Sequence, residues 1–170
     1  MPTMKKNNIT TNQFSEFKNI EGIEYFDFEE DFVEKNIRCI PMLVRFKMDE
    51  VGIKLKLNEW SKFSIKERKE LLVRSIAIKE EYAFYLRGLV TKYTGNTATD
   101  LAIDQHPAWA DVNKISEELK RMAVEHHCNL TLEAWKGLSN LQRFALLKLC
   151  RPGHENKNFP KAMKEFGLKP

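Results

Sequence analysis

The clearest pattern in the chain is the recurrence of apolar residues at three- and four-residue steps, which is typical of helices with one buried face. One such stretch follows a capping box at Ser64–Glu67 and continues to about Tyr93. Its apolar positions are Leu72, Ile76, Tyr82, Ala83, Leu86 and Leu89. The pattern predicts one long helix, or two helices if the chain breaks near Lys79.

Two prolines are placed where helices begin. Pro41 suits the first turn of a helix that runs to about Val51 and ends at Gly52. Pro107 likewise predicts the start of a helix with one apolar side. That side comprises Trp109, Val112, Ile115, Leu119, Met122 and Ala123.

Three further helices are predicted from caps and charges. Acidic residues lead into an aromatic pattern over residues 26–33, which favours a short helix there. A capping box at Ser139 opens a helix to Cys150 that is apolar on most of its circumference, as in a core helix. Residues 158–168 form a short C-terminal helix that ends at Gly167.

Together these elements predict an all-α fold. We expect a single compact helical domain over residues 23–170, preceded by a flexible, Asn- and Thr-rich arm over residues 1–22. Leu55-Lys56-Leu57 alternates in polarity, but we expect it to be a connector because no other segment offers a strand partner. We also expect the core to leave no catalytic pocket.

A sequence pattern occurs twice within this domain. Residues 55–72 and 130–147 both read L-x-L-x-x-W-x-x-[FL]-S-x-x-x-R-x-x-L-L, 75 residues apart. The repeated polar and aromatic positions are Trp60, Ser64 and Arg68 in the first copy, and Trp135, Ser139 and Arg143 in the second. One copy could not bury its own apolar face, so we expect two related helical units, about residues 40–78 and 107–150, to share one core. Independent use of the same helix-start residues is the alternative to a duplication.

The repeated residues have structural roles as their first interpretation. Trp60 and Trp135 lie in matched leucine-rich frames and are predicted to anchor the core. Arg68 and Arg143 each follow a serine cap by four residues, so each guanidinium is predicted to be partly buried and to brace one turn against another. Partner recognition is the alternative role for both arginines.

Composition and charge narrow the class of protein. Of 170 residues, 42% are hydrophobic and 31% are charged, as in ordinary globular domains. The chain has neither a membrane-span pattern nor a signal-peptide pattern, so we expect a cytoplasmic protein. The net charge is +4, but no group of Lys and Arg is free of interleaved acids, which disfavours nucleic-acid binding.

The residue types that carry catalysis or bind metals occur without the required spacing. Cys39, Cys128 and Cys150 are an odd number with no close pair, which excludes a disulfide framework and a zinc CxxC site. His126 and His127 point about 100 degrees apart on a helix, so we interpret them as helix-end residues instead of metal ligands. The motifs of phosphate loops, zinc proteases and serine hydrolases are absent from the sequence. We therefore predict no catalytic residues, no metal site and no cofactor.

Several longer phrases carry a family resemblance. Towards the start these are Phe28–Val33, Arg38–Met42, Val44-Arg45, and Gly52–Leu55 with Trp60; towards the end they are Gln142–Leu149, His154–Phe159 and Glu165–Leu168. In these phrases the chain resembles the nitrate reductase-associated protein family. The resemblance covers about residues 24–168 and departs from the family at residues 94–105.

This resemblance implies a non-catalytic accessory protein that binds a molybdenum-cofactor assimilatory nitrate reductase and supports its maturation, stability or activity. It brings no catalytic residues and no cofactor. Candidates for partner binding are the polar residues of the shared phrases that have no evident role in the fold. They are Arg38, Arg45, His154, Glu155, Asn156, Lys157 and Asn158. For the last five, a hydrogen-bonded turn after Pro152-Gly153 is the alternative.

Two other functions stay open at this point. A small-ligand or cofactor carrier, for example for a pterin, would place Arg38, Arg45 and Trp60 around an anion. A nucleic-acid-binding regulator is the third option. The sequence sets neither the oligomeric state nor the direct partner.

Overall fold

The chain folds into helices joined by short connections. In the computed structural model the described residues are Phe17, 20–29 and 39–169, without the side chains of His154 and Glu155. Within them lie eight α-helices: α1 (Met42–Val51), α2 (Leu57–Trp60), α3 (Ile65–Val73), α4 (Lys79–Thr94), α5 (Glu117–Glu125), α6 (Leu132–Gly137), α7 (Asn140–Leu149) and α8 (Phe159–Glu165). Short 3₁₀ turns occupy Asp27–Glu29, Ala108–Ala110 and His154–Asn158. The predicted all-α fold class is confirmed.

The helix starts and stops follow the residues that predicted them. The Ser64 hydroxyl accepts the Glu67 amide at the start of α3, and the Glu67 carboxylate accepts the Ser64 amide in return. Ser139 and Gln142 make the same reciprocal pair at the start of α7. These bonds satisfy amides that the first turn of a helix leaves without partners. Both capping boxes are confirmed.

The long helix predicted from Ser64 breaks into α3 and α4. The break lies at residues 74–78, close to the predicted alternative at Lys79. Lys47 of α1 donates to the carbonyl oxygens of Leu72 and Arg74 at 2.6 and 2.7 Å, and the Tyr82 hydroxyl donates to that of Leu71 at 2.7 Å. These donors occupy carbonyls that a continuous helix would use, so α4 folds back along α3.

A strand partner that the sequence did not reveal lies beyond α4. Strand β1 (Ile53–Lys54) pairs antiparallel with strand β2 (Thr99–Asp100), and Ile53 lies opposite Asp100. The strand pair ends just before Leu55-Lys56-Leu57: Leu55 and Lys56 connect β1 to α2, as expected, whereas the neighbouring pair of strands was not predicted. Two residues per strand are too few for alternation to be visible in the sequence.

The helix predicted to start at Pro107 begins ten residues later. Residues 108–110 form a 3₁₀ turn, and α5 starts at Glu117 with the Ser116 hydroxyl accepting the Leu119 amide. Two carbonyls that a longer helix would have used accept tertiary donors instead. Arg143 Nε donates to Trp109 O at 2.7 Å, and Trp135 Nε1 donates to Asp111 O at 2.9 Å. The prediction was wrong because these tertiary bonds replace helical ones.

The two copies of the repeated pattern have the same order of local structure. The helices α1, α2 and α3 start at residues 42, 57 and 65, and α5, α6 and α7 start 75 residues after each of them. The Arg68 Cζ lies 5.9 Å from the Trp60 ring centroid, and the Arg143 Cζ lies 5.8 Å from that of Trp135. Both indoles are at most 1% exposed. Descent from one duplicated unit stays a prediction, and these correspondences support it.

The apolar faces meet in one hydrophobic cluster that includes residues of both units. Phe17 belongs to it, with its ring 6.3 Å from that of Trp60. Phe17 lies within the arm expected over residues 1–22, which stays a prediction; residues 1–16, 18 and 19 lie outside the described part, as do residues 30–33 of the predicted first helix. In the part of the chain that the structure describes, no helix combines the length and the apolar character of a membrane span.

Candidate docking groove

The predicted partner-binding residues do not lie in a single cluster. Residues 154–158 form a 3₁₀ turn, in which the Asn156 amide donates to Gly153 O at 3.3 Å, as the alternative interpretation expected. Asn158 is 2% exposed, so burial removes it from any docking surface. Asn156 is half-buried and Lys157 is exposed. Arg38 and the side chains of His154 and Glu155 lie outside the described part.

Arg45 instead borders a groove that runs between α1, α7 and the segment after β2. The groove consists of two adjoining cavities of about 360 and 370 Å³, both open to solvent. Asp49, Leu101 and Lys148 line both cavities. Lys148 Nζ lies 3.0 Å from a carboxylate oxygen of Asp49, so an ion pair between α7 and α1 marks the boundary. We call this site the groove and its two parts the first and second cavity.

The first cavity is apolar with a basic edge. Apart from the shared ion pair, the charged lining residues within the described ranges are Arg45 and Lys54. Lys54 is exposed and Arg45 is half-buried. The apolar lining residues are Ile40, Met48, Ile53, Leu55, Leu57 and Leu101. This part therefore presents positive charge beside a hydrophobic surface.

The second cavity has the opposite balance. Apart from the shared pair, its charged lining residues are Glu50, Asp104 and Glu118, opposed by Arg151. Glu50 is also paired with Lys79 at 3.2 Å, whereas Asp104 is exposed and Glu118 is half-buried. The apolar lining residues are Leu101, Pro107, Ala108, Trp109, Phe144 and Leu147. The groove is thus divided into a basic end and an acidic end.

The wall of the second cavity is held by the repeated arginine of the second unit. Arg143 is 5% exposed and donates to Trp109 O, Trp135 O, Leu138 O and the side-chain oxygen of Asn140. The Trp109 ring in turn packs on Phe46 at 4.8 Å between centroids. Burial lowers the pKa of Arg143, yet carbonyl dipoles surround the guanidinium and compensate its lost hydration. Arg143 thereby positions Trp109 without lining either cavity.

A buried carboxylate anchors the start of α1, next to the first cavity. Glu29 is fully buried and accepts the amide of Met42 at 2.6 Å and that of Phe26 at 3.2 Å. Burial raises the pKa of Glu29 to about 7, against the lowering effect of these two amides and of Arg45. Pro41, at the N-cap of α1, has no side-chain group that could accept an amide of the first turn. Glu29 thereby accepts the first amide of α1, which has no partner within the helix.

The structure does not place Trp60 where the site predicted for a pterin carrier would need it. That site required Trp60 beside Arg38 and Arg45, but Trp60 is 1% exposed and lines neither cavity. The ring packs inside the protein against Phe63 and Phe17. Since a ligand could not reach this indole without unfolding the core, Trp60 acts as a core residue here.

The described histidines and cysteines have local structural surroundings. His126 caps the end of α5, and His127 follows it with φ +53°. Burial raises the pKa of the Cys150 thiol to about 11 and also raises that of Cys128, so both stay protonated at neutral pH. Among the residues that the structure describes, no three His, Cys, Asp or Glu side chains are grouped to hold a metal ion.

Several groove residues had not been singled out in the sequence. Lys54 and Asp104 lie in short exposed connections, and Lys148 lies in a helix whose neighbours are almost all apolar. A lysine in such a helix was the one available signal. The contribution of Asp104 could not be read locally, since it depends on where the segment after β2 crosses the helices.

Fold and site together define an all-helical protein with one core and an open groove of divided charge. The family model described as conserved nitrate reductase-associated protein matches residues 25–166. The chain belongs to this family, as its resemblance indicated. No curated protein and no solved structure shows significant similarity to the chain.

Proposed function

We propose that this chain is a non-catalytic accessory protein that docks on a molybdenum-cofactor assimilatory nitrate reductase in the cytoplasm. Through this contact it supports the maturation, stability or activity of the enzyme. The observation that carries the proposal is the family match over residues 25–166, since association with nitrate reductase is what that family's description states.

The groove supports docking through its composition. Protein interfaces combine apolar centres with polar and charged rims, and aromatic residues and arginine are enriched there. The first cavity has exposed Leu57 with Arg45 and Lys54, and the second cavity has half-buried Trp109. Its cavities are open to solvent, and its walls are held by buried bonds such as that from Arg143 to Trp109. A prearranged surface of this kind loses little conformational entropy on binding.

The proposal places the docking surface at the groove; of the predicted partner residues whose side chains the structure describes, Arg45 lines it. Lys157 is exposed and stays a candidate at the edge of the surface. Arg38, His154, Glu155 and half-buried Asn156 also stay candidates. We do not retain Asn158, because its side chain is buried.

An affinity purification tests the proposal against the carrier alternative. The full chain with an affinity tag is expressed in nitrate-grown cells and purified under mild salt. We expect nitrate reductase to co-purify, with its activity in the eluate and its peptides identified by mass spectrometry. An eluate with no reductase but with a stoichiometric pterin or other small molecule would favour carriage over docking.

A further inference from the structure

We infer that the groove binds an extended peptide segment that carries an acidic side chain at one end, apolar side chains in between and a basic side chain at the other end. This inference rests on the docking function proposed above and names the chemistry of the docked segment. The juxtaposition that carries it is the pair of adjoining cavities with opposite charge on either side of the Asp49–Lys148 ion pair.

The shape of the groove favours an extended chain. Its cavities, of about 360 and 370 Å³, share three lining residues and therefore lie side by side. Apolar side chains continue from Leu57 through Leu101 to Trp109, which gives the apolar positions of a segment a surface to cover. Successive side chains of an extended chain alternate in direction, so every second residue can face this surface.

The charges set the polarity of the occupant. Arg45 and Lys54 at one end attract a carboxylate, and Asp104 and Glu118 at the other end attract an ammonium or guanidinium group. A uniformly acidic segment would be attracted by the first cavity and repelled by the second. A uniformly basic segment would do the reverse.

The ion pair in the middle suits the backbone of such a segment. The side chains of Asp49 and Lys148 are 35% and 20% exposed, so each can still meet solvent or a ligand. A carboxylate accepts several hydrogen bonds and an ammonium group donates three, which exceeds the one contact that they make with each other. The pair therefore offers both an acceptor to peptide N–H groups and a donor to peptide carbonyls.

Three capped pentapeptides test the inference without any reductase. The probes are Glu-Ala-Leu-Ala-Lys, Glu-Ala-Leu-Ala-Glu and Lys-Ala-Leu-Ala-Lys, in which the charged ends and the leucine share one face of the extended chain, titrated against the ¹⁵N-labelled full chain by NMR. We expect the mixed peptide to bind about fivefold more tightly than either of the others, as about 1 kcal/mol per charge contact implies. The shifted resonances should include the amides of Leu101 and the indole of Trp109.

Charge-reversal variants of the protein test the inference more specifically. Lys54→Glu should transfer the preference to the basic peptide, and Asp104→Lys should transfer it to the acidic peptide. Lys54 and Asp104 are both exposed. The variant Asp104→Asn removes the charge alone, because it preserves the oxygen that accepts the His106 amide at 2.9 Å. Lys66→Glu on α3, outside both cavity linings, is the matched control and should leave the preference unchanged.

Equal affinity for the three peptides, no shift at the groove, or preferences that ignore the reversals would each overturn the inference. Its failure is distinguishable from failure of the docking function. Reductase that co-purifies with a chain indifferent to the peptides would overturn only the segment chemistry. Peptide selectivity without any bound reductase would instead contradict the partner assignment.

Discussion

The Nε of Arg143 donates a hydrogen bond to the carbonyl oxygen of Trp109 at 2.7 Å, across 34 residues of sequence. It ties a core helix, α7, to the segment that walls the second cavity. The same guanidinium also holds the turn between α6 and α7 through Leu138 O. The stability of the second unit and the shape of the groove therefore depend on one side chain.

Replacing this arginine should cost stability before it affects any partner. Arg143→Ala leaves the buried carbonyls of Trp109 and Leu138 without their donor, and each such group costs about 1–3 kcal/mol. We expect the free energy of unfolding to fall by about 3–5 kcal/mol, measured by urea denaturation. Arg121→Ala, at an exposed position on α5, should change it by less than about 0.5 kcal/mol. Unchanged melting together with lost reductase binding would show that Arg143 recognises the partner instead.

The glycine that ends α1 is expected to be more sensitive than its counterpart at the end of α4. Gly52 has φ +76°, and a Cβ there would lie 3.0 Å from Leu101 O and from Ile103 Cγ1. Gly95 has φ +71° but open space around the same position. Gly95→Ala should therefore cost about 1 kcal/mol of backbone strain, whereas Gly52→Ala should cost about 2–3 kcal/mol.

Thermal unfolding of both glycine variants at one pH measures this difference. Because the Leu101 amide also donates to Gly52 O at 2.9 Å, Gly52→Ala should disturb the NMR signals of the groove wall as well. Equal destabilisation by the two substitutions would contradict the close approach of residue 101 to Gly52.

Much of this architecture is local in origin and could be predicted. Ser64 and Ser139 mark helix starts because their hydroxyls meet amides only three residues away, and Gly52 marks a helix end through its own backbone angle. Trp60 and Trp135 could be assigned to the core because apolar residues flank each of them at helical spacing.

The region after Pro107 and the groove depend on contacts between residues that are distant in sequence. The helix expected from Pro107 is absent because Arg143 and Trp135 take the carbonyls that it would need. The groove joins Lys54 to Asp104 only through the pairing of β1 with β2 and the course of the chain beyond it. No pattern within a window of neighbouring residues encodes such a meeting.

The buried carboxylate of Glu29 predicts a specific pH dependence of stability. Burial raises its pKa to about 7 in the folded protein, from 4.5. The folded state therefore binds more protons than the unfolded state between these values. Protonation of Glu29 therefore stabilises the folded state. This stabilisation is fully present below about pH 4.5 and is lost as the pH rises through about 7, up to about 3 kcal/mol in all.

The substitution Glu29→Gln removes this titration. We compare the free energy of unfolding of the variant with that of wild type at each pH. Between pH 4.5 and pH 7.5 this difference should shift in favour of the variant by up to about 3 kcal/mol. Burial lowers the pKa of Lys47 to about 8, but wild type and variant both contain this group, so its titration cancels from the difference between them. The exposed Glu125→Gln should instead give a curve parallel to wild type. A parallel curve for Glu29→Gln would mean that folding does not raise the pKa of Glu29.

Calorimetric titration of purified nitrate reductase with the full chain tests docking through the groove most directly. The groove variant combines Lys54→Glu with Asp104→Lys, and the control combines Lys66→Glu with Glu125→Lys, so both keep the net charge of the wild type. We predict saturable binding of wild type and control, and a dissociation constant at least about tenfold larger for the groove variant. Absence of wild-type binding, or equal affinity of the groove variant and the control, would contradict docking at this site.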